Sequence, residues 1–179
     1  AGYITSVNLV NMANYGVPQT RQRVIIIGQR VDLGKELRFI FPQPTHSKTG
    51  ELPKWVSIKE AIDHFPDPDK ENNVLNHIYS AYKVEYRNFT GHRKTDPDKP
   101  SPTILARGNG KGGVCAIPHY NGKRRLTIRE SASIQTFPEN FHFVGTMNSC
   151  YRQIGNAVPV MFARKLGAEL MRLEKEEIV

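Results

Sequence analysis

The run Val24-Ile25-Ile26-Ile27, closed by Gly28, leaves this chain few options. β-Branched side chains are stiff at χ1 and pack well on a pleated surface, so the run predicts a strand over residues 21–28, apolar enough to be buried on both faces. The strand is entered through Tyr15-Gly16-Val17-Pro18-Gln19-Thr20-Arg21-Gln22-Arg23. Side chains alternate along a strand, so Gln19, Arg21 and Arg23 fall on one face, as a polar row at its mouth. Arginine and glutamine offer planar donor arrays that suit phosphate and base edges. An edge strand with one wet face shows the same alternation. The row alone leaves both readings open.

Residues 3–10 mix β-branched and polar side chains and predict a first strand, joined to the second through a turn that holds Gly16 and Pro18. The short connection predicts that the two pair. Pro42, Pro44 and Pro53 mark a linker over residues 38–55. Two capping boxes follow. Ser57 with Glu60 predicts a short helix with Ile58, Ala61, Ile62 and Phe65 turned inward, and Thr127 with Glu130 predicts another to about Thr136. Residues 100–105 read as a short strand and 114–117 as its return. Between them stand Gly108, Gly110, Gly112 and Gly113, with no Gly-Lys-Ser/Thr opening a helix. Residues 139–151 read as loop. Asn156-Ala157-Val158-Pro159 is expected to open a last helix whose apolar stripe is Phe162, Leu166, Leu170 and Leu173.

Charge narrows the partners. Lys and Arg number 25 against 17 Asp and Glu, a net charge of +8 with a pI near 9.6. This balance favours a polyanion, nucleic acid ahead of an anionic membrane surface. Cys115 and Cys150 form no Cys-x-x-Cys pair, which points to a reducing, cytoplasmic setting. No apolar run approaches membrane-spanning length. The histidines show no ligand spacing with Cys or carboxylates, so no metal is expected. The sequence opens Ala1-Gly2-Tyr3 without methionine, so a piece of something longer is expected.

Three stretches then occur in one order: Pro18-Gln19-Thr20-Arg21-Gln22-Arg23; Arg125-Leu126-Thr127-Ile128-Arg129-Glu130 with Phe137-Pro138-Glu139-Asn140-Phe141; and Gln153-Ile154-Gly155-Asn156-Ala157-Val158-Pro159. Together they closely resemble the eighth, ninth and tenth motifs of the bacterial-type DNA cytosine-5 methyltransferases. The resemblance covers the chain from Gly2 to about Leu170. It implies a role in transfer of a methyl group from S-adenosylmethionine to C5 of a cytosine swung out of duplex DNA, within a restriction–modification system. Arg23 would help to hold the flipped cytosine, with Arg21 beside it toward phosphate and the catalytic loop and Gln19 on the same row. Asn156, with Ala157 and Val158, would line the S-adenosylmethionine site; a plain N-cap is the structural alternative for Asn156. The variable segment between the motifs would be a target-recognition domain. Its Thr103-Ile104 fits the family's Thr-aliphatic pair, and Arg93, Lys94, Arg107, Asn109 and Lys111 are candidates for DNA contact. Any one of these can instead touch phosphate or solvent.

The family's nucleophile is a cysteine after proline, and neither Cys115 nor Cys150 follows one. The Glu-Asn-Val and Phe-x-Gly-Gly motifs are also missing from this stretch. The resemblance therefore implies a C-terminal part that is inactive alone. A recognition subunit of a split enzyme and a stand-alone DNA-binding module are the alternatives. The expected architecture is α/β: a remnant of the methyltransferase domain, made of the strand pair over residues 1–44 and a returning C-terminal helix, with a small β-rich recognition domain over 45–125. Residues 126–179 would carry the organising helix and that last helix. With the rest of the domain absent, faces of residues 24–27 should be exposed, and dimerisation through them or poor solubility is expected.

Overall fold

The computed structural model describes residues 2–33, 39–81, 94–106 and 117–176. Strand β1, Tyr3–Asn11, pairs antiparallel with β2, Gln22–Arg30, in unbroken register from Tyr3 opposite Arg30 to Asn11 opposite Gln22. Four helices follow: α1, Ile58–Ile62; α2, Ile128–Ile134; α3, Met147–Asn156; and α4, Val160–Glu176.

One face of the β1–β2 ribbon is packed. Val10, Met12, Tyr15 and Val17 enclose Phe162 of α4, with Ile25 and Leu166 at the margin, and the Tyr15 ring meets Phe162 edge-on at 4.9 Å. The strand pair and the last helix thus share a core, as their patterns predict. The opposite face is bare. Val7 opposite Ile26 and Leu9 opposite Val24 are 59–64% exposed: the run is not buried on both faces here, and a face of residues 24–27 is exposed, as expected for the strand pair without the rest of its domain. The ribbon has a helix on one side only, and a two-stranded sheet shields nothing on its other side. The stripe on α4 is also shorter than predicted: Phe162 is buried, whereas Leu170 is exposed.

The larger core joins α1, α2 and α3 through Ile58, Ile62, Ile104, Leu126, Ile128, Ile134, Phe143, Tyr151 and Ile154. Both predicted capping boxes form. Ser57 and Glu60 exchange backbone bonds at the start of α1, and Thr127 and Glu130 do so at the start of α2. Ile58 and Ile62 face the core, with Ala61 and Phe65 packed against it.

Four expectations are corrected within the described residues. Residues 139–151 are not all loop, because α3 occupies Met147–Asn156, started by Thr146, whose side chain accepts from the Ser149 N–H. Met147, Cys150, Tyr151 and Ile154 supply its apolar spacing. Asn156 therefore closes α3 and does not open the last helix. Residues 100–105 make only the single bridge Gln19–Ser101. Pro100 and Pro102 lack N–H donors, and both backbone groups of Ile104 bond side chains. The described part of 45–125 holds α1 and isolated bridges, with no strand. The return strand of 114–117 falls largely outside the described residues.

Buried charge organises α2. Glu130 is both the box partner and the acceptor of two bonds from Arg124, at 2.7 and 2.8 Å. Arg129, fully buried, donates to the carbonyls of Leu75, Pro138 and Phe141 and so ties the segment after α2 to the one before it. His119 lies 3.9 Å from Glu130. Burial lowers its imidazole below the ordinary range and Arg124 acts in the same sense, against the opposing pull of Glu130.

Two outcomes follow from this network. Glu130→Ala strands Arg124 and removes the box, and should lower unfolding free energy by about 3 kcal/mol or more in a denaturant titration. Because folded His119 binds its proton later than the unfolded chain does, the stability tied to it is present above the ordinary histidine range. It is lost as pH falls through that range and stops falling once the folded imidazole also protonates. His119→Asn should flatten that part of the stability curve, and an unchanged slope would contradict the assignment.

Candidate functional site

The three motif stretches meet at one buried knot of hydrogen bonds. The turn after β1 sets it up. Asn11 caps a 3-10 turn, Met12–Tyr15, by accepting from the Ala13 N–H, and Gly16 ends it at φ 83°. A Cβ at Gly16 would lie 2.9 Å from the His46 ring, so only glycine fits both the backbone and the space. The chain then turns through Val17 and Pro18 to deliver Gln19 inward, fully buried. Its amide nitrogen donates to Gln135 Oε1 at 3.1 Å, and its Oε1 accepts from the Ile104 N–H at 2.8 Å. The Gln135 amide nitrogen in turn donates to the Ile154 carbonyl at 2.8 Å.

Arg21 completes the knot. Nη1 donates to the Ile104 carbonyl at 3.0 Å and Nη2 to the Gly155 carbonyl at 3.2 Å. Burial lowers its pKa from the ordinary value, and the nearby Arg23 charge acts in the same sense. Gly155 lies so close to the Leu105–Ala106 backbone that a Cβ there would collide with the Ala106 nitrogen. The C-terminal end of α2 also starts α4, since Gln135 O accepts from the Val160 N–H and Thr136 Oγ1 from the Met161 N–H.

This arrangement corrects the polar row. β2 begins at Gln22, so Gln19 and Arg21 precede the strand and do not follow its alternation. They turn into the protein, while Arg23 is exposed and donates to the Gln22 carbonyl next to it. Arg23 sits opposite Val10 at the end of the ribbon. It is the member of the three whose guanidinium is presented to solvent.

The other sequence-derived residues divide as follows. Asn156, Ala157 and Val158 form the corner between α3 and α4, with Asn156 and Val158 exposed and Ala157 half-buried. An exposed amide beside an exposed isopropyl group offers polar and apolar contact at one place. Thr103 donates to the Thr20 carbonyl at 3.2 Å, part of a seam in which Thr20 also bonds Ser101. Lys94 is exposed, near the Lys99–Asp96 pair. Arg93, Arg107, Asn109, Lys111 and Cys115 lie outside the described residues. Cys150 is buried against the Gly145 carbonyl, and burial pushes its thiol up, the wrong direction for a nucleophile. Among the described residues no group of three or more His, Cys, Asp or Glu is placed to hold a metal, and no helix is long and apolar enough to cross a membrane.

Gln135 and Gly155 are the participants that sequence reasoning overlooked. Gln135 stands between the two parts of the second stretch, just before Phe137-Pro138, and Gly155 within Gln153-Ile154-Gly155-Asn156. A glycine in a helix interior is a signal of close backbone approach.

The comparisons with known proteins agree with the motif reading. The model of the C-5 cytosine-specific DNA methylase family matches residues 1–172. The Type II methyltransferase M.NgoFVII of Neisseria gonorrhoeae is 37% identical over 88% of this chain and 47% of its own length. The Type II methyltransferase M1.HphI of Haemophilus parahaemolyticus is 30% identical over 98% of this chain and 50% of its own length. The chain thus spans about half the length of these curated relatives. Among solved structures, the S. pombe Dnmt2 methyltransferase superposes with a TM-score of 0.59 at 18% identity, over 96% of this chain and 59% of that one. A prophage-encoded E. coli protein, described as a putative DNA modification methyltransferase, gives 0.64 at 20% identity, over 97% and 62%. Likeness at these identities speaks to the fold.

Gln135→Leu would leave the Gln19 amide nitrogen buried without its partner, while the Ile154 carbonyl would keep only its bond from the Ala157 N–H. One such buried group costs about 1–3 kcal/mol, so thermal unfolding of the variant should show a drop of several degrees.

Proposed function

The chain belongs to the C-5 cytosine-specific DNA methylase family, and we propose that it supplies the DNA-recognising and cytosine-holding part of a Type II cytosine-5 methyltransferase. The observation that carries this reading is the bare face of the ribbon. Val7, Leu9, Val24 and Ile26 are exposed together on a sheet of two strands, and a contiguous apolar patch of this kind marks a surface that another body covers. The rest of a methyltransferase domain is that body in this reading, either on the same polypeptide or as a companion chain. It would bring the Pro-Cys nucleophile that residues 1–179 lack. The fact that the chain spans about half of its curated relatives supports the same division of labour.

Within that enzyme each part of the chain has its work. Residues 1–44 and 126–179 belong to the catalytic side, and 45–125 to target recognition. In that enzyme the cysteine thiolate of the covering part would add to C6 of a flipped cytosine, C5 would take the methyl group, and a base would remove the C5 proton as the C6–S bond breaks and the thiolate is released. S-adenosylmethionine supplies the methyl group. Asn156, Ala157 and Val158 would hold it, the amide toward its polar atoms and Val158 toward its apolar ones. Arg23 would donate to the cytosine carbonyl and offset the negative charge that builds on the base during attack. The net charge of +8 favours duplex DNA as the surface on which all this occurs.

Two measurements test the reading. Residues 1–179 alone should transfer no labelled methyl group from S-adenosylmethionine to DNA, and activity should appear once the cysteine-bearing part is supplied. In the complete enzyme, Arg23→Ala should lower kcat by roughly 10²-fold or more while DNA affinity changes by a few-fold. Methyl transfer by the chain alone would sink the proposal, as would a variant whose lost affinity accounts for all of its lost activity.

A further inference from the structure

We propose that Arg21 is a positioning residue that works through the protein and not on DNA: with Gln19 it fixes the Thr103–Ala106 segment against the end of α3, and so sets how strictly the enzyme selects its target sequence. The inference rests on the reading above, in which Arg23 acts on the base and residues 45–125 carry recognition.

The geometry carries it. Ile104 is gripped at both of its backbone polar groups, its N–H by Gln19 and its carbonyl by Arg21. The same guanidinium reaches across to the Gly155 carbonyl. One rigid, planar group therefore holds two separate backbones at a set distance and angle. Gly155 removes all slack on the far side, because its Cα packs directly on the Ala106 backbone. Gln135 holds the third side, between Gln19 and the Ile154 carbonyl.

The charge budget points the same way. Arg21 is 7% exposed and spends its terminal nitrogens on carbonyl oxygens. A buried cation held by neutral acceptors is costly compared with an apolar residue of similar size. A residue kept there at that cost is worth more for geometry than for stability. Only Gln22 separates Arg21 from Arg23, so the clamp ties the recognition segment to the residue that meets the base. A shift at Ile104 is passed along the chain to Arg23, with no DNA contact in between.

The test compares Arg21→Lys, Arg21→Gln and the milder Thr20→Val, which removes one of the two bonds from Thr20 to the Ser101 carbonyl, just before the clamped segment. In residues 1–179 alone, amide hydrogen exchange at Ile104 should rise at least tenfold in Arg21→Lys and Arg21→Gln and by less in Thr20→Val. Lysine should not rescue, because one ammonium cannot hold two carbonyls in the same geometry. The salt dependence of binding to a random-sequence duplex should keep the wild-type slope. In the complete enzyme acting on genomic DNA, bisulfite sequencing should show methylation spreading several-fold onto sites that differ by one base pair, whereas a purely structural role would reduce methylation at the original sites alone.

Three results would overturn the proposal. One is unchanged exchange at Ile104. Another is a salt slope lowered by about one in Arg21→Gln and restored by lysine, the mark of a phosphate contact. The third is an unaltered set of methylated sites in a folded variant with raised exchange. Should Arg21→Lys fail to fold, Arg21→Gln decides by the same readouts. Should the complete enzyme methylate no cytosine at all, the function above fails while exchange and salt slope still decide the clamp.

Discussion

The side-chain amides of Gln19 and Gln135 meet in the interior, and the rest of the fold hangs from that contact. The two residues are 116 positions apart. Neither can be buried without its partner, because an unpaired amide in an apolar setting costs as much as a good packing contact gains. The pair therefore acts as a registration mark. When it forms, the turn after β1, the C-terminal end of α2, the Ile104 backbone and the end of α3 are all in place together. Apolar packing alone would tolerate small slides among these segments, since the cores on either side are built from interchangeable aliphatic side chains. A hydrogen-bond network with fixed donors and acceptors does not tolerate them.

A second network, around Glu130 and Arg129, does for the ends of α2 what the glutamines do for its neighbours. Glu130 closes the capping box and receives Arg124, while Arg129 collects carbonyls from both flanking segments. These segments have little regular structure, so their carbonyls have no ladder to join. A buried guanidinium with donors spread in a plane can satisfy several of them at once. The seven-residue α2 is stable in isolation on no account. It persists because its charged side chains face inward to meet groups that would otherwise go unpaired.

What could be read in the sequence follows from range. The strand pair, both capping boxes and the Phe162 contact were legible because local alternation, a Ser/Thr-x-x-Glu signature or a helical stripe fixed them within a few residues. The polar row was misread for a local reason: Pro18 and Thr20 delay the strand, so Gln19 and Arg21 do not share its alternation. Helix α3 was overlooked because Thr146 caps it without a Glu at N3 and its length is spent on polar residues. The strand of 100–105 was over-read because Ile104 gives its backbone groups to the Arg21 and Gln19 side chains and not to a sheet, Leu105 is exposed, and Pro100 and Pro102 have no N–H to donate. Gln135 could not be found locally at all. Its partner is defined only in three dimensions, and the one clue was that it stands in a stretch shared with a family.

The bare ribbon face and the exposed Arg23 belong to one argument. Both lie at the same two strands, yet they have opposite chemistry: the apolar face wants burial, whereas the guanidinium wants an anion or a carbonyl. Arg23 pairs with the buried Val10, and Ile25 packs with Val10 against Phe162, so alternation puts Arg23 on the packed side of the ribbon and Val7, Leu9, Val24 and Ile26 on the other. A body covering the apolar side chains would remove them from solvent on the side away from Arg23. The two strands thus separate two surfaces: an apolar one that can be covered by another body, and a charged end, beside the α4 core, that can stay open to an anion or a carbonyl while the first is closed.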